Sequence, residues 1–239
     1  MTDRGRAALR QTEDSFTVGP SHLVWEGDRL VIEVNEISNP VISRVKGRIV
    51  LHPTGLTSVE LPLTPDGAHV WRPFAPSAEI EVDLGQDGWK WRGHGYFDAN
   101  FGTRALEADF SHWCWGRFPL PDGAACFYDA QFRDGSALDF AVKFGHDGSV
   151  QPMEPPPVTR FARSIWGVRR ETRCDPGETP KQVQFMLEAP FYSRAGVETT
   201  INGFRSRGVH EALDLDRFRG PWLMPMLAVR VPRRPGWRF

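Results

Sequence analysis

The sequence predicts an all-β protein, an antiparallel barrel or sandwich. Apolar runs are short and rich in Trp, Phe and Val, and nine tryptophans and 16 phenylalanines stand beside only three tyrosines. Breakers are frequent: 23 glycines and 20 prolines lie well above the usual share of about 12%. Turn signals recur at even spacing between the runs, as in all-β folds.

Taken in order, the expected strands are His22–Trp25, Arg29–Val34, Arg44–Leu51, His69–Phe74, Glu79–Leu84, Trp89–Tyr96 and His112–Phe118. Ala125–Phe132, Leu138–Phe144, Trp166–Arg173, Gln182–Glu188, Glu198–Phe204 and Leu223–Val231 complete the set. Turns are expected at Glu26-Gly27-Asp28, Pro65-Asp66-Gly67, Gln86-Asp87-Gly88, Pro121-Asp122-Gly123, Arg133-Asp134-Gly135 and His146-Asp147-Gly148. Glycine supplies the positive φ that tight hairpins need. Ser77 to Val82 alternates as a strand does, and Leu213 to Phe218 can form one helical turn. The run Gln151-Pro152-Met153-Glu154-Pro155-Pro156-Pro157 is the natural linker, because consecutive prolines cannot donate ladder hydrogen bonds. If the chain divides, this run sets the boundary, giving residues 1–150 and 151–239; otherwise it is a rigid loop within one domain.

Charge excludes some functions. Lys and Arg (29) nearly balance Asp and Glu (30), so no excess of positive charge is available to track a nucleic acid. No apolar run approaches the 18 or so residues of a membrane span. Met1 to Gln11 is polar and lacks the apolar segment of a signal peptide, which predicts a cytoplasmic protein. Cys114, Cys126 and Cys174 form no paired framework. Phosphate-loop, dinucleotide, zinc-protease and serine-hydrolase motifs do not occur.

The chemically informative segment runs from Trp89 to Asn100. In an extended strand alternate residues share a face. Trp89, Trp91 and Phe97 then lie on one face, expected to be an aromatic core, and Arg92, His94, Tyr96 and Asp98 on the other. Upstream, His69 and Trp71 share a face; downstream, Trp113-Cys114-Trp115 adds aromatic surface.

Six sets of residues in order carry a resemblance. His69-x-Trp71-x-Pro73…Pro76, Gly95-Tyr96-Phe97-Asp98-x-Asn100, Trp113-x-Trp115, Trp166-x-Val168-x-Arg170, Pro190-Phe191-Tyr192-x-Arg194 and His210-Glu211-x-Leu213-x-Leu215-x-Arg217-Phe218 resemble the acyclic carotenoid 1,2-hydratases of photosynthetic bacteria. The closing Met226-Leu227…Arg230-x-Pro232-Arg233 is also similar. The resemblance runs from about Met1 to Arg234. It implies two packed lipocalin-like (calycin-type) domains, the first carrying the catalytic residues. Members of that family carry a further segment before the stretch similar to Met1–Arg6, so the chain is expected to begin late relative to them.

The resemblance assigns catalysis to His69, Trp71, Tyr96 and Asp98, with an acyclic carotenoid and water as reactants. Proton transfer to C2 of the terminal double bond would leave a tertiary cation at C1, and water would then add there. Such a reaction needs no organic cofactor and no metal. Asp98 is the expected acid, since an apolar surrounding raises a carboxyl pKa. Trp71 and Tyr96 offer π faces to the cation. The base is either His69 or the Asp98 carboxylate left by proton transfer. Asp109, Asp129 and Asp139 lack such neighbours and are expected as surface or turn carboxylates. A noncatalytic carrier of a hydrophobic ligand and a polyene cyclase are the rival readings. The basic, aromatic stretch Arg230 to Phe239 is expected to touch lipid headgroups.

Overall fold

The computed structural model describes residues 4–38, 41–85 and 89–223. Strands dominate, and the ladders whose register is defined among the described residues are antiparallel, as the breaker spacing predicts. The chain forms β1 (Leu9–Gln11), β2 (Ser15–Val18), β3 (Ser21–Glu26), β4 (Arg29–Ile37), β5 (Arg44–Pro53), β6 (Leu61–Pro62), β7 (His69–Asp83) and β8 (Lys90–Gly102). One helical turn, α1 (Leu106–Asp109), precedes β9 (Phe110–Leu120), β10 (Gly123–Phe132), β11 (Ala137–Gly145), β12 (Val150–Pro152), β13 (Val158–Arg160) and β14 (Glu171–Arg173). β15 (Lys181–Ala189), β16 (Tyr192–Ile201), β17 (Phe204–Asp214) and the expected helical turn α2 (Leu215–Phe218) follow.

Two compact units result. Among the described residues, the first holds those of 1–54 and 78–96; the second holds Gly55–Ser77 and Phe97–Pro221. In the first, β1 to β5 pair in sequence and β5 pairs with the later part of β7. Leu30 stands opposite Leu51, and Leu51 opposite Ile80, which makes an apolar row across three strands. Gly95 is required beneath it: a Cβ there would lie 2.9 Å from the Ile80 Cβ.

The second unit is built on a seven-stranded sheet in the order β12-β11-β10-β9-β17-β16-β15. Its two faces serve different purposes. One face presents Phe118, Ala125, Phe127, Ala195, Val197 and Ile201 as a closed apolar core, with Met153 and Phe161 packed on it. The other face carries the candidate site. The proline-rich stretch near 155 lies inside this unit, between β12 and β13. β9 pairs with β17 across it, so contacts divide the chain elsewhere than at residue 150.

Several expected boundaries move for identifiable reasons. His69–Phe74 and Glu79–Leu84 are one strand, β7. Pro73 and Pro76 fall between its ladder to β6, which ends at Trp71, and its ladder to β5, which starts at Ala78. On the side that β6 and β5 occupy, no ladder donor is needed there. Glu198–Phe204 is not one strand, because Asn202 (φ 50°) and Gly203 (φ 78°) turn the chain from β16 into β17, the behaviour of an Asn-Gly hairpin. In Trp166–Arg173 only Glu171–Arg173 is extended; Gly167 (φ 74°) closes a turn whose amide donates to Ser164 O at 2.8 Å. Trp89 and Trp91 are exposed rather than core residues. The Gln86–Gly88 turn and all but the first residue of Leu223–Val231 lie outside the described residues, and Leu223 ends a 3₁₀ turn. All three cysteines are free and buried.

Candidate active site

Strand alternation on β7 turns both His69 and Trp71 inward, at 3% and 1% exposure. Around the Trp71 indole stand Tyr128, Phe144, Phe140 and Trp115, with ring centroids 5.1, 5.9, 6.2 and 6.5 Å away. One polar contact leaves this apolar enclosure: Trp71 Nε1–H donates to Asp98 Oδ2 at 2.8 Å. Asp98 reaches it from β8, 27 residues along the chain.

The seven-stranded sheet supplies the surroundings. Phe140, Tyr128, Trp115, Glu211 and Arg194 are direct cross-strand partners in that order, over β11, β10, β9, β17 and β16. Direct partners share a face, so the row begins aromatic and ends charged. The Tyr128 hydroxyl donates to Asn100 Oδ1 at 3.2 Å, two residues beyond Asp98. Arg194 Nη1 donates to Glu211 Oε1 at 2.6 Å, and the Tyr192 side chain acts on the same carboxylate, lowering its pKa. Arg117, on the Trp115 face of β9, donates from Nε to Pro76 O at 2.5 Å.

Electrostatics follow from this packing. Burial raises the Asp98 carboxyl above its ordinary 3.8; the Trp71 N–H and the charges of Arg194 and Arg117 oppose the rise without cancelling it. Burial likewise raises Glu211, with Arg194 opposing and the Asp98 charge adding to the rise. Tyr128 is held far above the usual phenol range by burial and by Asp98. An indole N–H can only donate. Asp98 Oδ2 must therefore accept from Trp71 in either protonation state, and the proton of the neutral acid belongs on Oδ1.

His69 is committed elsewhere. Its Nε2 lies 2.7 Å from Asp109 Oδ2, and its ring leans on Phe110 at 5.3 Å. Asp109 also accepts from Arg104 Nε at 3.0 Å; Arg104 and then His69 hold its carboxyl below the ordinary value. With Asp109 ionised, Nε2 carries the shared proton. Asp109 is thus the histidine's partner, not a free turn carboxylate. Asp129 is also not a surface group: it is buried and paired with Arg173. Tyr96 sits two residues before Asp98 on the same face of β8 and is half-buried. Of the four expected residues, the structure joins Trp71 and Asp98 directly. It sets Tyr96 beside Asp98 on one strand and gives His69 a carboxylate of its own.

Comparison with known proteins gives the family. Residues 1–239 match the family described as carotenoid hydratase CrtC. The chain belongs to the carotenoid hydratase family. It is 66% identical over 240 residues to the acyclic carotenoid 1,2-hydratase of Cereibacter sphaeroides, covering 100% of this chain and 86% of that protein. It is 60% identical to the enzyme of the same name from Rhodobacter capsulatus, covering 100% and 85%. Among solved structures, a putative AttH from Nitrosomonas europaea shares the fold, with a TM-score of 0.58 at 13% identity over 88% of this chain and 73% of that one.

In this hydratase, sequence reasoning left out Tyr128, Asn100, Arg117, Tyr192, Arg194 and Glu211 as site residues. Four of them lie inside segments that carried the resemblance: Asn100 follows Asp98, Tyr192 and Arg194 sit in the Pro190–Arg194 stretch, and Glu211 follows His210. Tyr128 and Arg117 have no local signal. Only strand register brings them to Trp71 and Asp98.

Proposed function

We propose that this hydratase adds water across the C1–C2 double bond of an acyclic carotenoid, with Asp98 as the acid. The observation that supports this reading is the Trp71–Asp98 pair, a carboxyl raised by burial and anchored through one oxygen inside an aromatic enclosure. Asp98 Oδ1–H transfers its proton to C2, and the positive charge settles on C1, where two methyls and a chain carbon stabilise it. Aromatic faces beside the terminus, with Tyr96 the candidate nearest Asp98 in the chain, lower the energy of the cation. Water then bonds to C1 and loses a proton. No electron is transferred, so no redox group is required. The polar end of the cross-strand row gives water a place to bind, which favours hydration over the dry site a cyclase needs.

Product formed in deuterated water is expected to carry one deuterium at C2, read by mass spectrometry and NMR. Unlabelled product would exclude protonation by a solvent-exchanged acid.

The substrate is a bilayer solute, and we propose peripheral contact with the membrane surface. No helix among the described residues is long and apolar enough to cross a membrane. The terminal stretch Arg230 to Phe239 lies outside the described residues. Within them, the edge strand β15 exposes Val183, Phe185, Met186 and Leu187, and Ile165 and Trp166 are exposed as well. Exposed apolar groups clustered on an edge mark an interaction surface. Replacing Phe185 and Leu187 together by Ser is expected to reduce sedimentation with anionic vesicles by roughly three- to tenfold. Unchanged sedimentation would remove this edge from the proposal.

A further inference from the structure

Hydration needs a second proton transfer, because the water that bonds to C1 must lose one. His69 Nε2 faces Asp109. Asp98 has Oδ2 held by Trp71, leaving only the oxygen that delivered the first proton. A second carboxylate stands on the same face of the sheet. Glu211 is a direct partner of Trp115 on one side and Arg194 on the other, and its side chain is 18% exposed. Arg194 occupies Oε1 at 2.6 Å, and Tyr192 acts on the same carboxylate. A carboxylate offers about four lone-pair sites, more than the Arg194 contact uses, so it can also accept from water.

The two acids have different company. Asp98 is hydrogen-bonded to a neutral indole, whereas Glu211 is in contact with a guanidinium. Burial raises both carboxyls. At Glu211 the rise is opposed first by the guanidinium bonded to its Oε1. Direct contact with a cation favours the charged form, the kind of unlike surroundings that divide two carboxyls into an acid and a base. The other charged groups that act on the pair are Arg117 on β9 and Arg194 on β16. We propose that Glu211 is a catalytic residue, the base that takes the proton from the attacking water, with Arg194 and Tyr192 as its positioning residues. This rests on the assignment of Asp98 as the acid.

The step balances. The C1=C2 π pair forms the C2–H bond as the Asp98 O–H bond breaks; a water lone pair bonds to C1; one O–H bond of that water breaks and its proton passes to Glu211. The cycle ends with Asp98 ionised and Glu211 protonated, and exchange with solvent returns both to their starting states.

The test uses Glu211→Gln and Asp98→Asn in the purified protein, assayed with lycopene in detergent, with and without sodium azide. Azide is an anionic nucleophile that needs no base, and loss of the Glu211 charge leaves Arg194 to attract it. Glu211→Gln is expected to lose hydration by about a hundredfold or more and to form the C1 azide adduct, identified by mass. Asp98→Asn is expected to form neither product. Hydration by Glu211→Gln within a few-fold of wild type would overturn the base. A folded Glu211→Gln that forms neither product would also overturn it, since the residue would then be needed before the cation exists. Azide adduct from Asp98→Asn would instead overturn the acid and leave the Glu211 result to stand on its own. If Glu211→Gln does not fold, Glu211→Asp carries the test. Its displaced carboxylate must slow hydration while azide capture persists, and hydration at the wild-type rate overturns the base.

Discussion

Asp98→Asn is expected to abolish hydration, by about a thousandfold or more, the scale of a lost general acid, while leaving the fold as stable as the wild type at neutral pH. The amide oxygen still accepts from Trp71 Nε1, so the 2.8 Å anchor survives. The amide has no proton acidic enough for an alkene. Stability follows from linkage. Burial raises the folded-state pKa of Asp98 above its ordinary 3.8. Its contribution is then fully present below the unfolded value and is lost as pH rises through the folded one. The asparagine never ionises and is spared that loss. The melting temperature of the variant should therefore equal or exceed that of wild type at pH 8, with the difference closing as pH falls toward 4. Turnover and thermal melts across that range check both halves. Near wild-type turnover in the variant would remove Asp98 from the acid's role.

Replacing Trp71 is expected to lower turnover strongly, through the hydrogen bond as well as the ring. Trp71→Phe keeps an aromatic group inside the enclosure of Tyr128, Phe140, Phe144 and Trp115 but deletes the N–H that reaches Asp98. A hydrogen bond to a charged group contributes about 1.5–3 kcal/mol, so turnover should fall roughly ten- to hundredfold. The lost N–H is one of the groups that lower the Asp98 pKa. Without it the acid becomes weaker, and the alkaline limb of the turnover profile should move to higher pH. Trp71→Leu removes the π system too and should be slower again. Carotenoid affinity should change less than turnover in both, as for an interaction made chiefly in the transition state. An alkaline limb that stays in place in Trp71→Phe would mean that the indole acts only as a wall. Equal turnover for Phe and Leu would limit the remaining role of the site to volume.

How much was legible depends on the range of the interaction. Hairpins at Gly27, Gly67, Gly135 and Gly148 were readable because each has a positive φ within a few residues of the sequence that demands it. The continuity of β7 through Pro73 and Pro76 was not, since it depends on which ladders flank the prolines. Trp89 and Trp91 alternate as core residues do, yet both are exposed. Alternation separates the two faces of a strand but does not say which face is covered.

The same division holds for the site. From the chain alone come the antiparallel β class, the segments carrying the hydratase resemblance, and the grouping of His69 with Trp71 and of Tyr96 with Asp98, because two-residue spacing on a strand is a local property. The tertiary structure decided which of these groups meet. It joined Trp71 to Asp98 and gave His69 to Asp109, and it drew Tyr128 on β10 into one row with Glu211 and Arg194 of the distant β16–β17 hairpin. Cross-strand register is set by pairing among distant segments, and burial by what packs over them. The raised carboxyls of Asp98 and Glu211 are consequences of that packing.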